Sequence, residues 1–170
     1  MKKYSFENDI LPLKDVLYRL ALRIVLSREE AEDIVQDTLI RVWERRDTWY
    51  QIDSIEAFTV RICRNLALDR IRKASSRNAS LEQDNIVEPS THTTPYERAM
   101  QKEKLAIVKR IVDELPEKQR ACIQLRDFEG KQYKEIAETL DMSEDLVKVT
   151  IFRARQTIRQ KFKQTDNYGL

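Results

Sequence analysis

From Glu114 to Arg155 the sequence reads ELPEKQRACIQLRDFEGKQYKEIAETLDMSEDLVKVTIFRAR, and its punctuation leaves few folds open. Pro116 suits the first turn of a helix and Gly130 its C-terminal stop. A second helix follows over YKEIAETL, then a tight turn at Asp141-Met142, an N-cap at Ser143 and a third helix. Ala137 is small enough for two helices to cross closely, while Val147 and Ile151 are apolar anchors of the third. This spacing predicts a helix-turn-helix. Asp141 stands where Gly is usual in the turn, and Asp accepts a left-handed backbone better than most residues.

The rest of the chain points the same way. Two Gly and four Pro in 170 residues, with 35% charged and 41% apolar residues, favour helices over sheet and allow one domain or two small ones. The expected fold is all-α, with two small helical domains joined by a flexible linker and the helix-turn-helix in the second. The first domain is placed at 1–75, the linker at 76–97, the second domain at 98–165 and a short tail at 166–170. The linker contains KASSRNAS and EPSTHTTP, too few large apolar groups to bury anything. No apolar run approaches the roughly 20 residues that span a bilayer. The opening MKKYSFENDILPLKD has no signal-peptide core. A cytoplasmic protein without direct membrane insertion is expected.

Cys63 and Cys122 lie far apart with no partner at ligand spacing, and the one histidine is His92 in a polar stretch. Both cysteines read as small buried hydrophobes. With no metal set, nucleophile constellation or Gly-rich phosphate loop, the sequence suggests no catalytic residues, no cofactor and no small-molecule substrate.

Charge is distributed in blocks. Residues 29–37 carry five acids and no base; residues 59–77 carry six bases against Asp69; residues 143–163 carry six bases and two acids. Ser27 with Glu30 forms a capping-box signature. After it, Ala31, Ile34, Val35, Thr38 and Val42 share one helical face, and Asp33, Gln36, Asp37, Ile40, Trp43 and Glu44 the other. Acids mixed with Ile and Trp suit a protein-docking surface better than a solvated one. The next helix begins near Ser54. Val60, Cys63, Ala67 and Ile71 face its core, and Arg61, Asn65, Asp69 and Arg72 face away. That outer stripe is either a wet surface with an Asp69–Arg72 pair or a nucleic-acid face. Trp49 and Tyr50 beside Arg45 and Arg46 offer aromatics next to phosphate-binding charge, as single-stranded DNA binding needs.

These pieces, in this order, resemble a bacterial RNA polymerase sigma factor of the extracytoplasmic-function group. AEDIVQDTLIRVW is similar to the family's polymerase-binding helix and FTVRICRNLALDRIRK to its promoter-opening helix. LPEKQRACIQLRDFEGKQYKEIAETLDMS with VKVTIFRAR is similar to its promoter-reading domain. The resemblance implies that Asp33, Gln36, Asp37 and Ile40 dock on core RNA polymerase. It implies that the loop from Trp49 and Tyr50 to Ser54, with Arg61, Asn65 and Arg72, engages the melted minus-ten element and holds a flipped base. The second domain would read the minus-thirty-five element of promoter DNA as duplex. A membrane-anchored anti-sigma factor is the further partner it implies.

In the last helix, Val147, Ile151, Ala154, Ile158 and Phe162 form the expected buried stripe. Ser143, Lys148, Val149, Thr150, Phe152, Arg153 and Arg155 are the candidate DNA contacts. Lys148, Arg153 and Arg155 would meet phosphates; Val149 and Thr150, where the family commonly has a Ser-Arg-like pair, would meet base edges such as a thymine methyl. An ordinary helix-turn-helix repressor would explain the second domain equally well, but not the acidic helix and aromatic-basic loop of the first. A protein-interaction adaptor and an enzyme fit less of the chain.

Overall fold

A computed structural model describes residues 3–76 and 95–168, with the side chains of 95–97 and 166–168 outside the description. Seven α-helices occur among these residues: α1 (Lys14–Val25), α2 (Arg28–Glu44), α3 (Ile55–Ser76), α4 (Pro95–Asp113), α5 (Glu117–Ile123), α6 (Tyr133–Leu140) and α7 (Glu144–Tyr168). Short helical turns at Phe6–Ile10, Leu11–Leu13, Arg46–Gln51 and Gln124–Phe128 link or extend them. There is no strand among the described residues, in keeping with the all-α expectation. Most of the expected linker lies outside the described residues. Its last three positions, 95–97, already belong to α4.

The helix boundaries follow local chemistry. Ser27 accepts the Glu30 N–H to cap α2, Ser54 accepts the Ala57 N–H to start α3, and Ser143 accepts the Leu146 N–H to start α7. Pro116 is the residue before α5 rather than its first. Gln132 and Glu135 close a capping box on α6. Asp141 ends α6 in the left-handed region at φ 54°, which forms the turn of the helix-turn-helix. Gly130, at φ 69°, ends the turn after α5.

The first domain is α1–α3, whose mutual packing buries Leu17, Leu20, Ile24, Ala31, Ile34, Val60, Cys63 and Ala67. All five residues assigned to the inner face of α2 are buried, and polar Thr38 is satisfied there by donating to Ile34 O at 2.7 Å. Burial pushes the Cys63 thiol up to about 12 and the Cys122 thiol up to about 11, so both stay protonated, as structural thiols do. A smaller core of Ile10, Val42, Trp49 and Ile55 sits under the N-terminal turns.

The second domain is α4–α7. It does not stand apart from the first. One continuous hydrophobic cluster runs from Leu17 and Val60 to Leu125, Ile136 and Ile151, with α1 packed on α5 and α3 on α6. A flexible linker of this length permits both compact and extended arrangements; the structure is the compact one.

Candidate polymerase and nucleic-acid interfaces

The outer face of α2 carries Asp33, Gln36, Asp37, Ile40, Trp43 and Glu44, all exposed. Arg70 reaches over from α3, 3.3 Å from Asp37 and 3.9 Å from Asp33, and holds the two carboxylates side by side. Ile40 and Trp43 are about half exposed, at 54% and 47%, between these acids and the Arg46 guanidinium, which stacks 4.8 Å above the Trp43 ring. An apolar pair with a charged rim is the composition of a docking site. Arg70 is a member of this surface that periodicity alone assigned no role.

The second surface runs from the 3₁₀ turn Arg46–Gln51 along α3. Here the structure separates two residues that looked alike in sequence. Tyr50 is exposed. Trp49 is only 7% exposed, packs against Trp43 and Ile55, and donates its indole N–H to Val42 O at 3.0 Å. Trp49 is therefore a core anchor of the turn, and Tyr50 is the exposed aromatic beside it. Along α3, Asn65 is exposed and Arg72 pairs with Asp69 at 3.3 Å, a contact weak enough to exchange for a phosphate. Arg61 is exposed but donates to Glu138 O in the second domain.

The third surface lies on α7. Lys148, Val149, Phe152 and Arg153 are exposed, with Phe152 at 61%. Leu146, which sequence reasoning did not single out, is exposed beside them at a spacing of three residues from Val149. Thr150 does not belong to this set. It is 8% exposed and its hydroxyl donates to Leu146 O at 2.6 Å, so it has no free edge for a base. Arg155 makes a two-pronged pair with Asp127, at 2.6 and 3.3 Å. That hydrogen bond pushes its guanidinium above its ordinary value, so it remains charged on the flank of the helix. Ser143 is exposed, and its oxygen is the cap of α7, accepting the Leu146 N–H at 3.1 Å. Lys148 lies 5.7 Å over the Tyr133 ring and 4.0 Å from Glu144.

Between the domains lies a set of charge pairs that no sequence pattern announces. Arg19 holds Glu129 with two hydrogen bonds of 2.6 and 2.9 Å. Arg23 binds Asp113 at 2.9 Å and Gln124 at 3.0 Å, and Gln124 in turn donates to Glu129 at 3.1 Å. Arg64 forks onto Glu117 at 3.1 and 3.2 Å, and Lys131 pairs with Glu56. Arginines on α1 and α3 thus face acids of the second domain. Nearby, Arg120 Nε is buried with no hydrogen-bond partner among the described residues, and desolvation pushes its guanidinium below the ordinary value against the pull of Asp113 and Glu117.

Comparison with known proteins finds two family matches along the chain. Residues 10–77 match the Sigma-70 region 2 family and residues 105–158 the Sigma-70 region 4 family. The chain is 34% identical over 156 residues to the ECF RNA polymerase sigma factor SigE of Mycolicibacterium smegmatis, spanning 91% of this chain and 60% of that protein's length. It is 30% identical over 145 residues to the ECF sigma factor SigL of Mycobacterium tuberculosis, covering 85% of this chain and 81% of SigL. A similar fold is that of the sigma factor RpoE from Bartonella quintana, solved in complex with the anti-sigma factor NepR. The TM-score is 0.74 at 22% identity over 93% of this chain and 96% of that one. With both sigma domains in sequence order and a relative matched over most of its length, this chain belongs to the ECF sigma factors of RNA polymerase.

Proposed function

We propose that this chain binds core RNA polymerase and directs it to promoters, reading the minus-thirty-five element as duplex through α7 and capturing unpaired bases of the minus-ten element through the 46–54 turn and α3. It supplies specificity to an enzyme that already carries the chemistry. The observation that carries the reading is the separation of surfaces: an acidic-apolar face on α2 and a basic-apolar face on α7, each exposed, on opposite members of a two-domain chain.

Asp33, Gln36, Asp37 and Ile40 form the polymerase-docking face, with Arg70 behind them. Tyr50, Asn65, Arg61 and Arg72 serve the melted element, and Trp49 anchors the turn that presents Tyr50. Lys148 and Arg153 meet phosphates at the upstream element, joined by Arg155 once it releases Asp127. Leu146, Val149 and Phe152 present an apolar edge to bases, suited to thymine methyls. The site is cytoplasmic because its partners are. An anti-sigma partner fits as well, since the RpoE structure of the same fold is a complex with one.

Geometry adds a condition. Elements centred about 35 and about 10 base pairs upstream of the start are ~85 Å apart at ~3.4 Å per base pair. A compact chain of 170 residues is only about 40 Å across. The closed arrangement therefore cannot read both elements, and the interdomain pairs must open on the polymerase. The 18 residues between Ser76 and Pro95 set a reach of up to about 60 Å. Arg61, held by Glu138 O when closed, becomes available to DNA on opening.

The docking reading is tested by pull-down of core polymerase with the double variant Gln36→Ala/Asp37→Ala. It should weaken binding by about 1 kcal/mol or more. Unchanged binding would remove α2 as the docking face.

A further inference from the structure

The turn that presents Tyr50 is tied to the N-terminal segment, which no sequence motif singled out. The Tyr4 hydroxyl lies 2.7 Å from Asp53 O and 3.2 Å from Ile52 O, nearly fifty residues away in sequence. Those carbonyls belong to the stretch between the 3₁₀ turn and the Ser54 cap of α3, where Ile52 is extended at φ −93°, ψ 123°. Phe6 sets its edge against Trp43 at 5.4 Å, and Trp43 against Trp49 at 6.3 Å. Ile10 is wholly buried with Val42, Trp49 and Ile55, and Tyr4, Phe6 and Ile52 line the same small core.

The segment that carries Tyr4 has its own internal bonds. Ser5 accepts the Asn8 N–H at 3.4 Å, and the Ser5 N–H donates to the Asp9 carboxylate at 2.6 Å. It acts as a strut with a fixed end, and the phenol is the tip of that strut. Without the phenol's proton, the Ile52 and Asp53 carbonyls lose a long-range donor that ties the stretch between Tyr50 and Ser54 to the N-terminal segment.

We propose that Tyr4 is a positioning residue for base capture: its hydroxyl fixes the Ile52–Asp53 backbone so that the exposed residues of the 50–53 stretch receive an unpaired promoter base in one geometry. The inference rests on the reading of this stretch as the base-capturing loop. Preorganisation is the physical gain, because a loop already in its bound conformation gives up less freedom when the base arrives. Tyr4→Phe isolates the effect, since it keeps the ring and its packing and removes only the donor.

The test is a cycle between protein and DNA. Polymerase holoenzyme is assembled with wild-type or Tyr4→Phe chain, and its affinity is measured for single-stranded minus-ten oligonucleotides, intact or with an abasic residue at each position in turn. The wild type should show a penalty at the captured base, and Tyr4→Phe should shrink that penalty by between about twofold and about tenfold, the range of one hydrogen bond. General loss of stability or of polymerase binding would weaken intact and abasic probes equally, and that result overturns the proposal, as does a Tyr4→Phe penalty equal to the wild type's. A wild type with no abasic penalty at any position overturns the base-capture reading itself, and the positioning role with it.

Discussion

Arg19→Ala and Glu129→Ala break the same ion pair, yet they should open the protein by different amounts. The Glu129 side chain is 4% exposed while that of Arg19 is 36% exposed. Removing Arg19 leaves a carboxylate buried between domains with the Gln124 amide as its remaining donor at 3.1 Å. Stranding one partner of a fully buried pair costs about 3–5 kcal/mol, and the partial exposure of this pair reduces that to about 2 kcal/mol. Opening hydrates the carboxylate, so the cost is carried by the closed state and the open population should rise about thirtyfold, at ~1.4 kcal/mol per factor of ten. Removing Glu129 instead leaves an arginine that reaches water without opening; about 1 kcal/mol, or about fivefold, is the corresponding expectation.

The assay is intramolecular energy transfer between dyes on cysteines introduced at exposed Glu44 and Gln156, in a background where buried Cys63 and Cys122 do not compete. Transfer should fall in the order wild type, Glu129→Ala, Arg19→Ala, and should fall further for the wild type as salt is raised, because screening weakens the Arg64–Glu117 and Lys131–Glu56 pairs together. If Arg19→Ala were no more open than Glu129→Ala, the argument from unequal burial would fail. If neither differed from the wild type, these pairs would not hold the domains together.

Two further comparisons separate residues that sit side by side. Trp49→Ala should cost about 3–5 kcal/mol of stability, read as a lower unfolding midpoint. Tyr50→Ala should change stability by less than about 0.5 kcal/mol and instead weaken binding to single-stranded minus-ten DNA. On α7, Val149→Ser should shift the preferred upstream base at one position, by up to the roughly 1–3 kcal/mol that one mismatched base pair costs. Thr150→Val should leave that preference unchanged, as selection of binding sites from a randomised duplex would show.

The helix faces were legible because burial follows a 100° period. Every residue assigned to the inner face of α2 is buried and every one assigned to its outer face is exposed. The helix-turn-helix was legible for a related reason: Asp141 and Ser143 carry local backbone chemistry within a few residues of where it acts. What failed depended on partners elsewhere. Trp49 beside basic residues looked like a stacking platform, but its indole N–H finds Val42 O and its ring fills the small core. Thr150 sits at the edge of the buried stripe, where its hydroxyl bonds back one turn to Leu146 O. Leu26 ends α1 at φ 58° with no glycine to mark the place. The Arg19, Arg23 and Arg64 pairs join residues 53 to 110 positions apart, a separation that periodicity does not encode. The arrangement of the domains was hidden for that reason.

Reconstituted transcription tests the central claim most directly. Core RNA polymerase, this chain and a linear template carrying the region upstream of its own gene should give a transcript with one defined start. With the chain below saturation, that transcript should fall by about fivefold or more with Gln36→Ala/Asp37→Ala and should decline steeply with salt, because phosphate contacts release counterions. A start site that core polymerase produces equally well without the chain, or specific duplex binding by the chain with no transcript from any template, would contradict it.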